Sequence, residues 1–80
     1  MTRQEIIDKL TPIAREAFQN EELVLSDELS AENVDSWNSL TFMKLLTAIE
    51  TDFGFKFKMM ELIQLNTMGD ILDAMEKHLA

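Results

Sequence analysis

The chain has no cysteine, one proline, two glycines and a single histidine among its 80 residues. Without cysteine there is neither a disulfide framework nor a thiolate metal site. So few prolines and glycines leave long stretches of backbone uninterrupted, which favours helix over sheet. The histidine, His78, lies two residues from the end of the chain. A lone histidine there reads as a solvated helix-end residue, and Ser–His–Asp chemistry would require it to be held rigidly. No acid, base and nucleophile converge elsewhere, which argues against an enzyme. No apolar run approaches membrane-spanning length. Met1 to Glu5 lacks the charged-then-apolar layout of a secretion signal, so a cytoplasmic chain is expected. Bases are scarce too, seven against fifteen acids for a formal charge of −8. Such a surface repels the phosphates of nucleic acids and of anionic membranes, and attracts basic protein surfaces.

The length suits one domain, residues 1–80, expected to be monomeric. A chain this short buries a little over ~60% of the surface it exposes when unfolded. That leaves no room for a deep pocket beside the core, so reacting atoms would sit on a partner or on an attached group.

What is present is helical periodicity. From Arg3 to Phe18, Ile6, Leu10, Ile13 and Ala17 recur at helical spacing, widened by Ile7, Ala14 and Phe18. Thr2 and Glu5 form a capping-box pattern. Pro12 interrupts the hydrogen bonding, yet the stripe stays in phase across it, which predicts one bent helix. From Asn20 to Asn38 periodicity weakens. Six acids lie there without a base, while Leu23, Leu25, Leu29 and Val34 read as anchors that would order the long loop. A second helix is expected from Ser39 to Phe53, with Asn38 as N-cap and Trp37 and Phe42 at the two positions of a hydrophobic staple. Its stripe is Phe42, Leu45, Leu46, Ile49 and Phe53, and Gly54 is the stop. Phe55-Lys56-Phe57-Lys58 alternates and reads as an extended connector. Met59 to Leu65 is a short helix, with Met60 and either Ile63 or Leu62 expected inward. Thr67 caps the last helix, Asp70 completes a capping-box-like pair, and Ile71, Leu72, Met75 and Leu79 form its stripe. Gly69 in the first turn costs helix propensity, so close packing is expected there. The fold class is all-α, a small four-helix bundle of three longer helices and one short one, with a long loop between the first two.

Three features coincide at Ser39. It falls in the first turn of a helix, where free N–H groups and the helix dipole favour a phosphate. It ends the long loop, so its hydroxyl is expected to be exposed. Trp37, Leu40 and Met43 beside it offer an apolar docking surface. The loop acids Asp27, Glu28, Glu32 and Asp35 lack the alternating ligands and central glycine of a calcium loop, so no metal site is expected.

Asn38-Ser39-Leu40 resembles the Asp-Ser-Leu motif of the acyl carrier protein family. Ala48-Ile49-Glu50, Phe53-Gly54-Phe55 and Thr67-Met68-Gly69-Asp70 extend the resemblance over essentially the whole chain. It implies that Ser39 receives 4′-phosphopantetheine from coenzyme A through a phosphopantetheinyl transferase. Acyl groups then ride as thioesters on the arm's thiol, and the protein itself needs no cysteine. Implied partners are an acyl-loading ligase or transferase and synthase enzymes, which would dock on Trp37, Asn38, Leu40, Met43, Thr47 and Glu50 with basic and apolar patches.

Two departures stand out. Asn38 replaces the family's usual Asp, which removes a charge beside the serine. Lys44 and Thr51 occupy typically acidic positions of the second helix, where Lys44 against Glu50 and Asp52 leaves a net charge of only −1. Docking would therefore lean on apolar contacts, as in a carrier dedicated to a specialised lipid or secondary-metabolite pathway. A carrier of aminoacyl or peptidyl groups is an alternative, although the Gly-Gly pair usual upstream of the serine is absent. An unmodified acidic helical adaptor is another.

Overall fold

The first helix, α1 (Arg3–Ala17), begins at a complete capping box. Thr2 Oγ1 accepts the Glu5 N–H at 3.2 Å and the Glu5 carboxylate accepts the Thr2 N–H at 2.8 Å. The helix runs without a break through Pro12, as the unbroken stripe requires. It ends in a Schellman turn, with Gln19 in the left-handed region at φ 53°. The Asn20 N–H reaches the Arg15 carbonyl and the Gln19 N–H reaches the Glu16 carbonyl, satisfying groups a helix end leaves open. The computed structural model describes all 80 residues, and three helices follow: α2 (Ser39–Phe53), α3 (Met59–Gln64) and α4 (Met68–His78).

The core is one cluster. Ile6, Leu10, Ala14 and Phe18, spaced four apart, bury a single stripe of α1 against α2 and α4. Ile13 and Ala17 lie at the edge of that stripe, half-buried. Leu45, Leu46 and Ile49 face them from α2, and Met68, Ile71, Leu72 and Met75 from α4. Gly54 ends α2 at φ 76°, a conformation that only glycine adopts without cost.

The long loop is ordered by burial and by hydrogen bonds together. Leu23, Leu25, Val34 and Trp37 are buried and Leu29 half-buried. The Met68 N–H donates to the Leu29 carbonyl at 2.8 Å, and the Gly69 N–H to the Asp27 carbonyl at 3.1 Å. These bonds lay the loop across the start of α4. Arg3 holds the same junction by donating to Asp27 and Asp73, each at 2.9 Å, and to Glu76. These acceptors, Glu76 foremost, push an already basic guanidinium further up in pKa, so Arg3 stays charged.

Gly69 is required by this crossing. A Cβ built there would stand 3.0 Å from Asp27 Cβ and 3.1 Å from its carbonyl oxygen. Gly69→Ala would gain about 1 kcal/mol of helix propensity, but forcing the loop away costs roughly 1–3 kcal/mol. The clash wins, because it also strains the Gly69–Asp27 hydrogen bond. A net loss of about 1 kcal/mol is expected, read as a lower midpoint in urea denaturation.

The short helix α3 differs from expectation. Met60 is 68% exposed and Ile63 69% exposed, and only Leu62 of the three packs against the core. Five of the seven residues from Met59 to Leu65 are apolar, so the pattern marks no face, and where the segment lands decides which side is wet. His78 also departs from the solvated helix end read from sequence. Its ring stacks on Phe55 at 4.5 Å, meets Phe57 edge-on at 6.0 Å, and bonds Glu61 through Nε2 at 2.7 Å.

Glu61 therefore ties α3 to α4 and caps its own helix by accepting the Lys58 N–H at 2.7 Å. The Lys58 N–H first, then the His78 hydrogen bond, hold its carboxyl below the ordinary glutamate range. A depressed pKa contributes stability above the unfolded-state value and loses it as pH falls through the folded-state value. Glu61→Gln is thus expected to melt below the wild type at neutral pH. The gap should close on acidification past the usual glutamate range, checked by melting temperature against pH for both proteins.

Candidate functional site

The entry to α2 is built from residues 36–42. Asn38 has extended backbone, and its Oδ1 accepts the N–H groups of Leu40 at 2.9 Å and Thr41 at 3.0 Å. Thr41 Oγ1 accepts the Asn38 N–H at 2.9 Å and donates to the Ser36 carbonyl. This is a capping box with threonine where glutamate is usual. Asn38 was legible as the cap from sequence, but the return bond from Thr41 was not, because threonine is an unusual third-position partner.

Trp37 and Phe42 close the staple beneath, their rings 5.8 Å apart and 17° from parallel. On its other side Trp37 stacks on Phe18 at 5.0 Å. The three rings join the end of α1, the end of the loop and the start of α2. Trp37 is only 7% exposed, so it does not belong to a docking face, contrary to the expectation that grouped it with Leu40 and Met43. Its neighbours Phe18 and Phe42 draw the ring inward, since burying an indole outweighs any surface role.

Ser39 is the first residue of α2. It is exposed, and its hydroxyl makes no hydrogen bond within the protein. Asn38 takes the Leu40 and Thr41 N–H groups, so of the free donors expected at this helix start only the Ser39 N–H remains. The first turn carries no acid, so a negative group on Ser39 Oγ meets the positive end of the helix dipole and no like charge from that turn. These features fit a phosphodiester at this oxygen.

Leu40 is 66% and Met43 56% exposed, and Thr47 is exposed as well. Met43 and Thr47 lie one and two turns from Ser39 on its own side of the helix. Glu50 is half-buried, and its Oε2 accepts the Phe57 N–H at 2.9 Å. It therefore holds the connector and does not stand free among the docking residues expected from sequence, because the Phe57 N–H seven positions on claims its carboxylate.

An uncovered serine at the mouth of a helix, on a small bundle with an ordered loop, is the geometry that a covalently loaded carrier domain needs. The family model described as "Phosphopantetheine attachment site" matches residues 8–75. An acyl carrier protein of Coprothermobacter proteolyticus is 30% identical over 79 residues, covering 99% of this chain and 96% of that one. The solution structure of a holo acyl carrier protein from Geobacter metallireducens superposes with a TM-score of 0.84 at 40% identity, covering 91% of this chain and 84% of that one. The chain belongs to the acyl carrier protein family, and its prosthetic group is 4′-phosphopantetheine.

Proposed function

We propose that Ser39 is the attachment point of the phosphopantetheine arm, and that the chain carries acyl groups for a dedicated lipid or secondary-metabolite pathway. The observation that carries the first part is the exposed, unbonded Ser39 hydroxyl at the first position of α2. When bound, the arm supplies a thiol on which acyl groups are held as thioesters. The chain's own residues position the arm. Asn38 fixes the helix start, the ring stack beneath holds it in place, and the helix dipole favours the phosphate. The chain contributes no acid or base to acyl chemistry, and tethering raises the effective concentration of cargo at partner sites. Its partners are a phosphopantetheinyl transferase, an acyl-loading ligase or transferase, and synthases.

The dedicated pathway is supported by the outward face of α2. Leu40, Met43, Thr47 and Thr51 lie there with Lys44 as the one charged residue among them. Attachment is tested by intact mass after incubation with coenzyme A and a broad-specificity transferase, where a gain of one phosphopantetheinyl group is expected and an unchanged mass would reject it. The pathway is tested by offering the holo protein to housekeeping fatty-acid synthase enzymes. Slow elongation is expected, and elongation at the rate of their own carrier would sink this half of the reading.

A further inference from the structure

Charge is unevenly divided along this chain. Residues 1–38 hold nine acids against three bases, a net −6, and residues 61–80 hold four acids against one base, a net −3. Residues 39–60 hold Lys44, Lys56 and Lys58 against Glu50 and Asp52, a net +1. The segment that begins at Ser39 is thus the one positive stretch of a strongly acidic protein.

The structure sharpens the contrast. Neither acid of the segment is free on the outward face of α2. Glu50 is half-buried and spends one oxygen on the Phe57 N–H. Asp52 lies on the α1 side, where Lys9 bonds its carbonyl at 3.1 Å and its side chain lines a groove of about 360 Å³ with Glu16 and Lys44. The three lysines are all exposed, and none is in an ion pair. Lys44 stands at the α1 edge of the outward face. Phe55 and Phe57 turn toward each other and toward His78, so in the extended connector Lys56 points the opposite way.

Apolar groups are exposed along the same stretch of chain and into α3. Met43 and Glu50 are two turns apart on one edge of α2, and that edge is where the connector crosses on its way to α3. Leu40 and Met43 are more than half exposed, and Met59, Met60 and Ile63 of α3 are each more than two-thirds exposed. Methionine adapts to the socket that receives it, and an apolar centre with a charged rim is the usual build of an interface.

We propose that the enzyme serving this carrier reads the Ser39 face with an apolar socket rimmed by carboxylates, not with the basic patch that the overall charge of −8 would attract. The proposal rests on Ser39 bearing the arm. Rim charges set orientation and encounter, while the apolar centre holds the complex.

The test uses holo protein whose arm has been verified by intact mass, so failure of the Ser39 reading appears there first. The probe is an acyl-carrier synthetase with a basic docking patch, in its original form and with the patch reversed to glutamate. Rates are normalised to free pantetheine, which needs no docking. The reversed enzyme is expected to load the wild-type carrier at least tenfold faster than the original does, through KM. The variant K44E/K56E/K58E is expected to invert that preference. Lys77→Glu, which changes global charge on α4, is expected to leave it unaltered. If the reversed enzyme is inert on free pantetheine, the original enzyme decides alone, and it should load K44E/K56E/K58E at least tenfold faster than wild type. Equal loading of wild type and triple variant, faster wild-type loading by the basic enzyme, or an equal response to Lys77→Glu would overturn the proposal.

Discussion

Ser39→Ala is expected to abolish phosphopantetheinylation completely while leaving the fold intact. The two halves of that expectation have separate causes. The hydroxyl is the only group on this residue able to form the phosphodiester, so its removal leaves nothing to modify. Stability is spared because Asn38 caps the helix, and the Ser39 hydroxyl is exposed without a hydrogen bond of its own. Alanine in the first turn is a good helix former, so the change stays within about 0.5 kcal/mol. Asn38→Ala should behave in the opposite way, losing about 1 kcal/mol by removing the acceptor for two N–H groups while keeping the hydroxyl. Intact mass and urea denaturation on the pair distinguish chemistry from scaffold. A Ser39→Ala protein that still gained the arm would place attachment elsewhere.

Trp37→Ala is expected to be among the most damaging substitutions to the fold. The indole is nearly buried between Phe18 and Phe42. Burial of a large aromatic ring, roughly 150–250 Å², contributes on the order of 4–6 kcal/mol at about 25 cal/mol per Å². Two stacked pairs add about 0.5–1.5 kcal/mol each, so burial dominates and stacking sets the ring's orientation. Truncation of such residues costs about 3–5 kcal/mol. A domain of this size is stable by about 4–12 kcal/mol in all. The melting temperature should therefore fall by at least about 12 °C, measured by circular dichroism. Trp37→Phe keeps an aromatic ring in the stack and should recover most of the loss. A fall of only a few degrees in Trp37→Ala would mean that α2 is positioned without the stack.

Much of this architecture was legible because its signals are local. Thr2 with Glu5, Asn38 before Ser39, and Thr67 with Asp70 each mark a helix start within four residues, and each makes the expected bonds. The stripes of α1, α2 and α4 run long enough for their phase to be unambiguous. Gly69 announced a close approach simply by sitting where a helix would prefer another residue. What was missed depends on distance in sequence. His78 meets Glu61 across 17 positions and stacks on Phe55, and no periodicity encodes such a contact. The exposure of Met60 and Ile63 was hidden because six residues of helix span fewer than two turns. At the candidate site, the exposed serine was legible. The packing of Trp37 on Phe42 was legible as a staple, but its second stack, on Phe18 at the far end of the loop, was not, which is why the ring was also grouped with the docking residues.

The three-ring stack also gives the chain a built-in optical reporter. Trp37 is its only tryptophan, and there is no tyrosine. Near-ultraviolet emission excited at the indole band therefore arises from one ring, two positions before Ser39. Any event that loosens the root of that helix should shift the emission to longer wavelength, so conversion and docking can be followed in real time without a dye.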